Sequence, residues 1–297
     1  MNNITILTPT YNRAHLLKRV YDSLCIQSNK FFDWVIIDDG SNDNTKDIIS
    51  EFIKEEKVKI RYYYKENGGK HTTINYGVNF INSTYVLILD SDDFLTSFSI
   101  ELLYRMIKKI ENNHHLCGII GLSQNKEKNI IGTRFPYDDW EVSFADVYHK
   151  YKVTGDKSVL FKTQILKNFP FPERKNIKFV FEATVWHEMA KQYNVLAINH
   201  VIQEKEYLEK GITNTSYKLE YIKGLAFSYF TLIKNETHSF YKYPKVFIWD
   251  YIHLAINSLL SKESYFKELN LKSKMLYILF FSRAYFTYHK LKNKLHD

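Results

Sequence analysis

The sequence predicts an α/β fold, a doubly wound and mostly parallel sheet with a C-terminal helical extension. Three observations predict it. Short runs rich in β-branched and aromatic residues alternate with segments of helical periodicity through the first 122 residues. One run, Tyr85–Leu89, is apolar throughout, which suits a strand buried on both faces of a parallel sheet. Beyond Tyr217 the pattern turns helical and stays so except at Pro244.

In chain order, Ile4–Thr8 reads as a strand ended by Pro9. Leu16, Leu17, Val20, Tyr21 and Leu24 form the apolar stripe of a core-facing helix over Arg13–Ile26. Trp34–Ile37 is a second strand, and Asp43 or Asn44 caps a helix reaching Phe52. Val58–Tyr64 reads as strand, Thr72–Ile81 as helix, Tyr85–Leu89 as strand, Ser97–Ile110 as helix and Leu116–Leu122 as strand. The pattern breaks up from Gln124 to Val153. It resumes with strands at Ser158–Phe161 and Asn194–Ile198, and a helix around Glu182–Gln192.

Composition removes several classes. Of the 297 residues, 45% are apolar and 25% charged, so the chain folds; Gly at 10 and Pro at 5 exclude collagen-like and linker-rich sequences. Cys25 and Cys117 are too few for a disulfide framework or a four-thiolate zinc site. No signal peptide is legible at Met1–Leu7 and no eighteen apolar residues run together, so a cytoplasmic location is expected. Net charge is +8, of which 13 − 6 = +7 falls between Tyr217 and Asp297. No stacking motif or recognition helix accompanies it, so nucleic acid is not expected as a partner.

Four strands end in polar or Gly-containing sequence: Thr8–Asn12, Asp38–Ser41, Glu66–Lys70 and Asp90–Asp93. In an open α/β sheet these ends share the edge where ligands bind. Three carboxylates in Asp90-Ser91-Asp92-Asp93 repel one another unless a cation neutralises them, and hard divalent ions take oxygen ligands of this kind. Gly68 and Gly69 let backbone amides approach an anion, and Lys70 adds positive charge. Taken singly, these segments also read as an acidic turn, an Asx turn and a loop-to-helix turn. No Walker loop, Gly-x-Gly fingerprint or nucleophile elbow is present.

In order, Thr8–Arg13, Asp38–Ser41, Asn67–Lys70, Asn75–Gly77 and Leu89–Asp93 resemble the motifs of the family 2 glycosyltransferases. Gly155–Lys157, Phe169–Pro172, Lys178–Trp186 and Tyr207–Thr213 resemble a bacterial branch that builds surface polysaccharides. The resemblance implies a glycosyltransferase A fold, with a Rossmann-like catalytic domain over residues 1–215 and a basic, aromatic-rich helical extension over 216–297. It also implies a nucleotide-sugar donor, UDP-linked by preference, and transfer with inversion to a hydroxyl of a glycan or lipid-linked glycan. Thr8, Pro9, Tyr11 and Asp39 would hold the nucleotide, Asp39 facing the base. Lys70 would face the diphosphate or sugar. Asp92 would ligate Mn²⁺ or Mg²⁺, with Asp90 a ribose or metal contact. Glu182, four residues before Trp186, stands where the family places its catalytic base. Two departures are visible: many members have Asp there, often after another acid, and many in this branch have Pro where this chain has Phe181.

Two other readings stand beside this one: a sugar-1-phosphate nucleotidyltransferase, and a non-catalytic protein that keeps the nucleotide fold. The first would carry a Gly-rich basic loop where this chain has Pro9–Asn12. The tail has two readings of its own, a helical cover for the sheet domain or a peripheral attachment to the inner face of the membrane. On a helical wheel Leu276 and Leu279 interrupt the basic stripe of Lys272, Arg283, Lys290 and Lys294, which counts against attachment.

Overall fold

The structure is a computed structural model and describes residues 3–206, 219–235 and 242–296. The chain divides into two compact units, Met1–Pro170 with Met189–Tyr207, and Phe171–Glu188 with Leu208–Asp297. The second unit thus takes in the segment around Glu182. The expected boundary at 215–216 lies outside the described residues.

The first unit is built on β1 (Ile4–Thr10), α1 (Ala14–Cys25), β2 (Phe32–Asp38), α2 (Thr45–Lys54), β3 (Ile60–Tyr64), α3 (Lys70–Val78), β4 (Tyr85–Ile88), β5 (Asp93–Leu95) and α4 (Ser99–Ile110). There follow β6 (Leu116–Gln124), β7 (Trp140–Val142), β8 (Lys157–Lys162), α5 (Thr163–Asn168) and β9 (Asn194–Lys205). The strand order is β3-β2-β1-β4-β8-β6-β9-β5, with β7 on β9. β3, β2, β1 and β4 pair in parallel, as the alternation predicts. Beyond β4 the sheet is mixed, because β8 runs antiparallel to both β4 and β6. Residues 125–156 join β6 to the antiparallel β8 by way of β7, which pairs with β9, so no crossover helix is needed.

β1 runs on through Pro9. Leu89 N–H donates to Leu7 O, so the odd-numbered backbone groups of β1 face β4. Pairing with β4 stops at Leu7, and the N–H that Pro9 lacks therefore has no ladder partner to lose. The stripe of α1 packs down as expected: Leu17, Val20, Tyr21 and Leu24 join Trp34, Ile49, Phe52 and Leu103 in one core under the sheet. Tyr21 stacks on Phe52 with ring centroids 4.1 Å apart.

In the second unit α6 (Ala183–Met189) is accompanied by α7 (Leu219–Asn235), α8 (Pro244–Ser261) and α9 (Leu271–His296). Pro244 starts α8 at its first turn, where the absent N–H costs nothing. Phe227, Phe230, Tyr251, Leu254 and Tyr265 form its core, and Leu276 packs against that core from α9.

Candidate active site

The strand order reverses at β1: β2 and β3 lie on one side and β4 on the other. The carboxyl ends of β1 and β4 therefore form the crevice in which such sheets bind ligands. The turns that follow β1 and β2 are tied together there. Asn12, at φ 51°, donates its N–H to Ser41 Oγ (2.9 Å), and its Oδ1 accepts Asn42 N–H (2.8 Å). Asp43 accepts Ala14 N–H at the start of α1 (3.1 Å) and both N–H and Oγ1–H of Thr45 at the start of α2. Burial works against these bonds, which nonetheless hold its carboxyl below the ordinary range.

Asp39, only 3% exposed, receives four donors. Lys65 Nζ (2.6 Å) and Gly68 N–H (2.9 Å) reach Oδ1, while Gly69 N–H (2.7 Å) and Asn67 Nδ2 (3.1 Å) reach Oδ2. The anion that the two glycine amides approach is thus Asp39 itself. With four donors on its two oxygens, Asp39 shapes the 67–69 loop. Gly40 permits the close approach: its φ is +84°, and a Cβ there would lie 2.8 Å from Asn67 N.

Each acid of the 90–93 turn has its own cation. Asp90 pairs with Lys70 (2.6 Å), Asp92 with Arg13 (2.7 Å) and Asp93 with Lys205 (2.7 Å). Lys205 arrives through the antiparallel register of β5 and β9, which sets Asp93 opposite it. Arg19 adds a bond to Asp92 O at 3.2 Å while pairing with Glu206. Burial would raise the Asp90 carboxyl, but Lys70, Lys205 and Arg13 overcome that and hold it at about 2. Asp93 moves upward because burial outweighs the pull of Lys205. The side chains of Asp90 and Asp92 keep 27% and 21% exposure; that of Asp93 keeps 6%.

The other expected residues are spread in depth. Tyr11 is 44% exposed, and Pro9 is buried at the strand end. Thr8 is 0% exposed and its Oγ1 accepts Trp34 Nε1–H at 2.9 Å, so its hydroxyl is held beneath the edge. Lys70 sits on Asp90, with its side chain 35% exposed.

A family model described as glycosyl transferase family 2 matches residues 5–169. The chain belongs to that family. Among its relatives is a Campylobacter jejuni GalNAc(5)-diNAcBac-PP-undecaprenol beta-1,3-glucosyltransferase, 29% identical over 65% of this chain and 61% of its own length. The fold matches Staphylococcus aureus TarS solved with UDP-GlcNAc (17% identity, TM-score 0.58, 95% of this chain and 80% of that one). It also matches the Pyrobaculum calidifontis mannosyltransferase PcManGT solved with GDP-Man and Mn²⁺ (14% identity, TM-score 0.59, 98% and 83%).

Within this family 2 chain, the donor set suits a hard cation only in part. Asp90 and Asp92 offer solvent-facing carboxylates at a strand end, which matches a Mg²⁺- or Mn²⁺-like ion that completes its shell with phosphate oxygens and water. Asp93 is withdrawn by Lys205. Among the described residues no group of three or more His, Cys, Asp or Glu is arranged to hold a metal ion.

Glu182 lies in the second unit, half-buried at the residue before α6, where its carbonyl accepts Val185 N–H (2.9 Å) and Trp186 N–H (3.1 Å). Trp186 is anchored edge-on to Phe171, with centroids 5.8 Å apart. The segment entering Glu182 is seated on α7: Phe181 N–H donates to Ser228 Oγ at 3.3 Å. A Cβ at Gly224, one turn earlier, would lie 2.3 Å from Phe179 O. Sequence reasoning missed Arg13, Lys205, Gly224 and Ser228. Only Arg13 carried a signal, as a cation next to the Thr8–Asn12 motif.

Proposed function

We propose that this protein is an inverting, metal-dependent glycosyltransferase. It moves a sugar from a nucleotide sugar, UDP-linked by preference, to a hydroxyl of a glycan or lipid-linked glycan in the synthesis of a bacterial surface polysaccharide. The observation that carries the reading is the acid turn at the carboxyl end of β4, beside the switch point, with Lys70 paired to Asp90. The UDP-GlcNAc complex of TarS supports a UDP-sugar, and the undecaprenol-linked glycan of the Campylobacter glucosyltransferase supports a lipid-linked acceptor.

In this reading Asp92, with Asp90 beside it, holds Mn²⁺ or Mg²⁺. When bound, that ion neutralises charge that develops on the leaving diphosphate. Lys70 exchanges part of its contact with Asp90 for a phosphate oxygen and stabilises the same charge. Tyr11 and Pro9 border the nucleotide, and Asp39 keeps the 67–69 loop in shape beside it. Glu182 takes the proton of the acceptor hydroxyl as that oxygen attacks the anomeric carbon, while the bond from that carbon to the diphosphate oxygen breaks. One displacement with no covalent intermediate inverts the anomeric centre.

Calorimetric titration of UDP-sugars with and without Mn²⁺, on the wild type and on Asp92→Ala, tests this. Binding that needs the ion and disappears in the variant is the expected result. Equal binding in chelator, or pyrophosphate release from a nucleoside triphosphate, would overturn it.

A further inference from the structure

The face that α9 turns to solvent carries a strip of large apolar side chains, with Ser282 and His289 among them. Leu271, Met275, Ile278, Leu279 and Phe286 are exposed by between 63% (Ile278) and 77% (Leu271). At 3.6 residues per turn they share one stripe. Lys272, Arg283 and Lys290 run along one border of that stripe, and Lys274 along the other. The opposite face carries Ser273, Tyr277, Phe280 and Ala284, which pack inward. Of the two leucines that interrupt the basic stripe on a helical wheel, Leu276 packs partly buried against the core, while Leu279 stays exposed at the edge of the apolar strip. Trp249 of α8, 45% exposed, lies under the Arg283 guanidinium at 5.0 Å and adds an indole beside the apolar strip.

The charge of the helix decides the occupant. Residues 271–296 contain six Lys or Arg and no Asp or Glu. A second copy docked through this face would set these cations against their equals, with no acid in the helix to answer them. A bilayer surface with anionic headgroups answers both features: apolar side chains enter the acyl boundary, and lysines on either side reach headgroup phosphates. Among the described residues no helix is long and apolar enough to cross a membrane.

We propose that α9 lies in the plane of an anionic membrane surface, its Leu271–Phe286 face inserted and its lysines and Arg283 on the headgroups. This is independent of the proposed reaction, because vesicle binding is read without donor or acceptor.

Flotation of the full chain with phosphatidylcholine vesicles, with and without about 30% phosphatidylglycerol, tests it. Binding is expected to the anionic vesicles alone and to weaken as salt rises, since the Debye length falls to about 3 Å at 1 M. The double variant Ile278→Glu, Phe286→Glu changes exposed positions only, so its thermal unfolding should match the wild type while partitioning falls at least tenfold. Lys272→Gln and Arg283→Gln should each lower it about fivefold. Phe98→Glu, an equally exposed change in the first unit, should leave it intact. Wild-type protein that stays off phosphatidylglycerol vesicles, equal loss in Phe98→Glu, or a solution dimer that Ile278→Glu, Phe286→Glu separates into monomers would overturn the proposal.

Discussion

Lys70 closes on Asp90 with both carboxylate oxygens in reach, its Nζ 2.6 Å from Oδ1 and 2.8 Å from Oδ2. The pair joins the first residue of α3 to the end of β4. It fixes the acid turn and the 67–69 loop against each other at the edge where the sheet reverses order.

That pairing sets an acid limb on stability. The folded Asp90 carboxyl, at about 2, lies below the ordinary carboxylate value of about 3.9, so between them the unfolded chain binds more protons. The contribution of Asp90 is thus fully present above about pH 4 and is lost as pH falls through about 2. Lys70→Met removes the largest favourable charge and should flatten this limb. Urea midpoints measured at several pH values between about 5 and 2 check it. An unchanged limb in Lys70→Met would mean that another group sets it.

Asp39→Ala should cost stability beyond the site. It takes the carboxylate from the Lys65 ammonium, which keeps only Glu66 O and Thr72 Oγ1, and leaves the Gly68 and Gly69 amides without their acceptor. Leaving a buried pair wholly uncompensated costs about 3–5 kcal/mol, and the two remaining acceptors of Lys65 set the loss here below that, at about 1–3 kcal/mol. Denaturant unfolding should show a loss of that order, and hydrogen exchange at Gly68 and Gly69 should quicken far more than at Ile74 in the body of α3. Slow exchange at both glycines in the variant would remove Asp39 from its place as the anchor of this loop.

The parallel half of the sheet could be read from the chain because each strand and helix there carries its own period. In the mixed half β6, β8 and the start of β9 could be read as strands, but neither their pairing nor the remaining strands could. β5 and β7 are three residues each, too short for a pattern. The part of β9 beyond Ile198 contains Asn199, His200 and Gln203. The acid turn was legible as chemistry, but its neutralisation was not. Lys205 lies 112 positions from Asp93, and only the β5–β9 register brings them together. The partner of the Thr8 hydroxyl was hidden for a related reason. A threonine in a polar strand end looks ligand-facing, whereas the position of Trp34 on the neighbouring strand gives its hydroxyl a buried partner.

Glu182→Gln should separate chemistry from binding. The amide keeps the shape of the side chain and cannot accept the acceptor's proton, so turnover should fall by on the order of a hundredfold or more while donor affinity holds. Initial rates at saturating donor, together with a titration of the same variant, read the two quantities separately. A rate within a few-fold of wild type would dismiss Glu182 as the base.

Gly224 offers a test of how Glu182 is held. Glycine inside a helix is a poor choice on propensity, and α7 accepts that cost because the Phe179 carbonyl crosses it closely. Gly224→Ala sets a methyl group 2.3 Å from that oxygen, a collision that backbone movement alone can relieve. Residues 179–181 should lift from α7, stretching the 3.3 Å bond from Phe181 N–H to Ser228 Oγ. The gain in helix propensity, about 1 kcal/mol, opposes an overpacking cost of about 1–3 kcal/mol, so net stability should fall modestly. Turnover should fall more than stability does, with donor affinity unchanged and exchange at the Phe181 amide faster. Ser228→Ala removes the acceptor without the collision and should quicken the same amide with a smaller loss of rate. If Gly224→Ala lowers stability yet leaves both turnover and the Phe181 amide as in the wild type, α7 does not position the base.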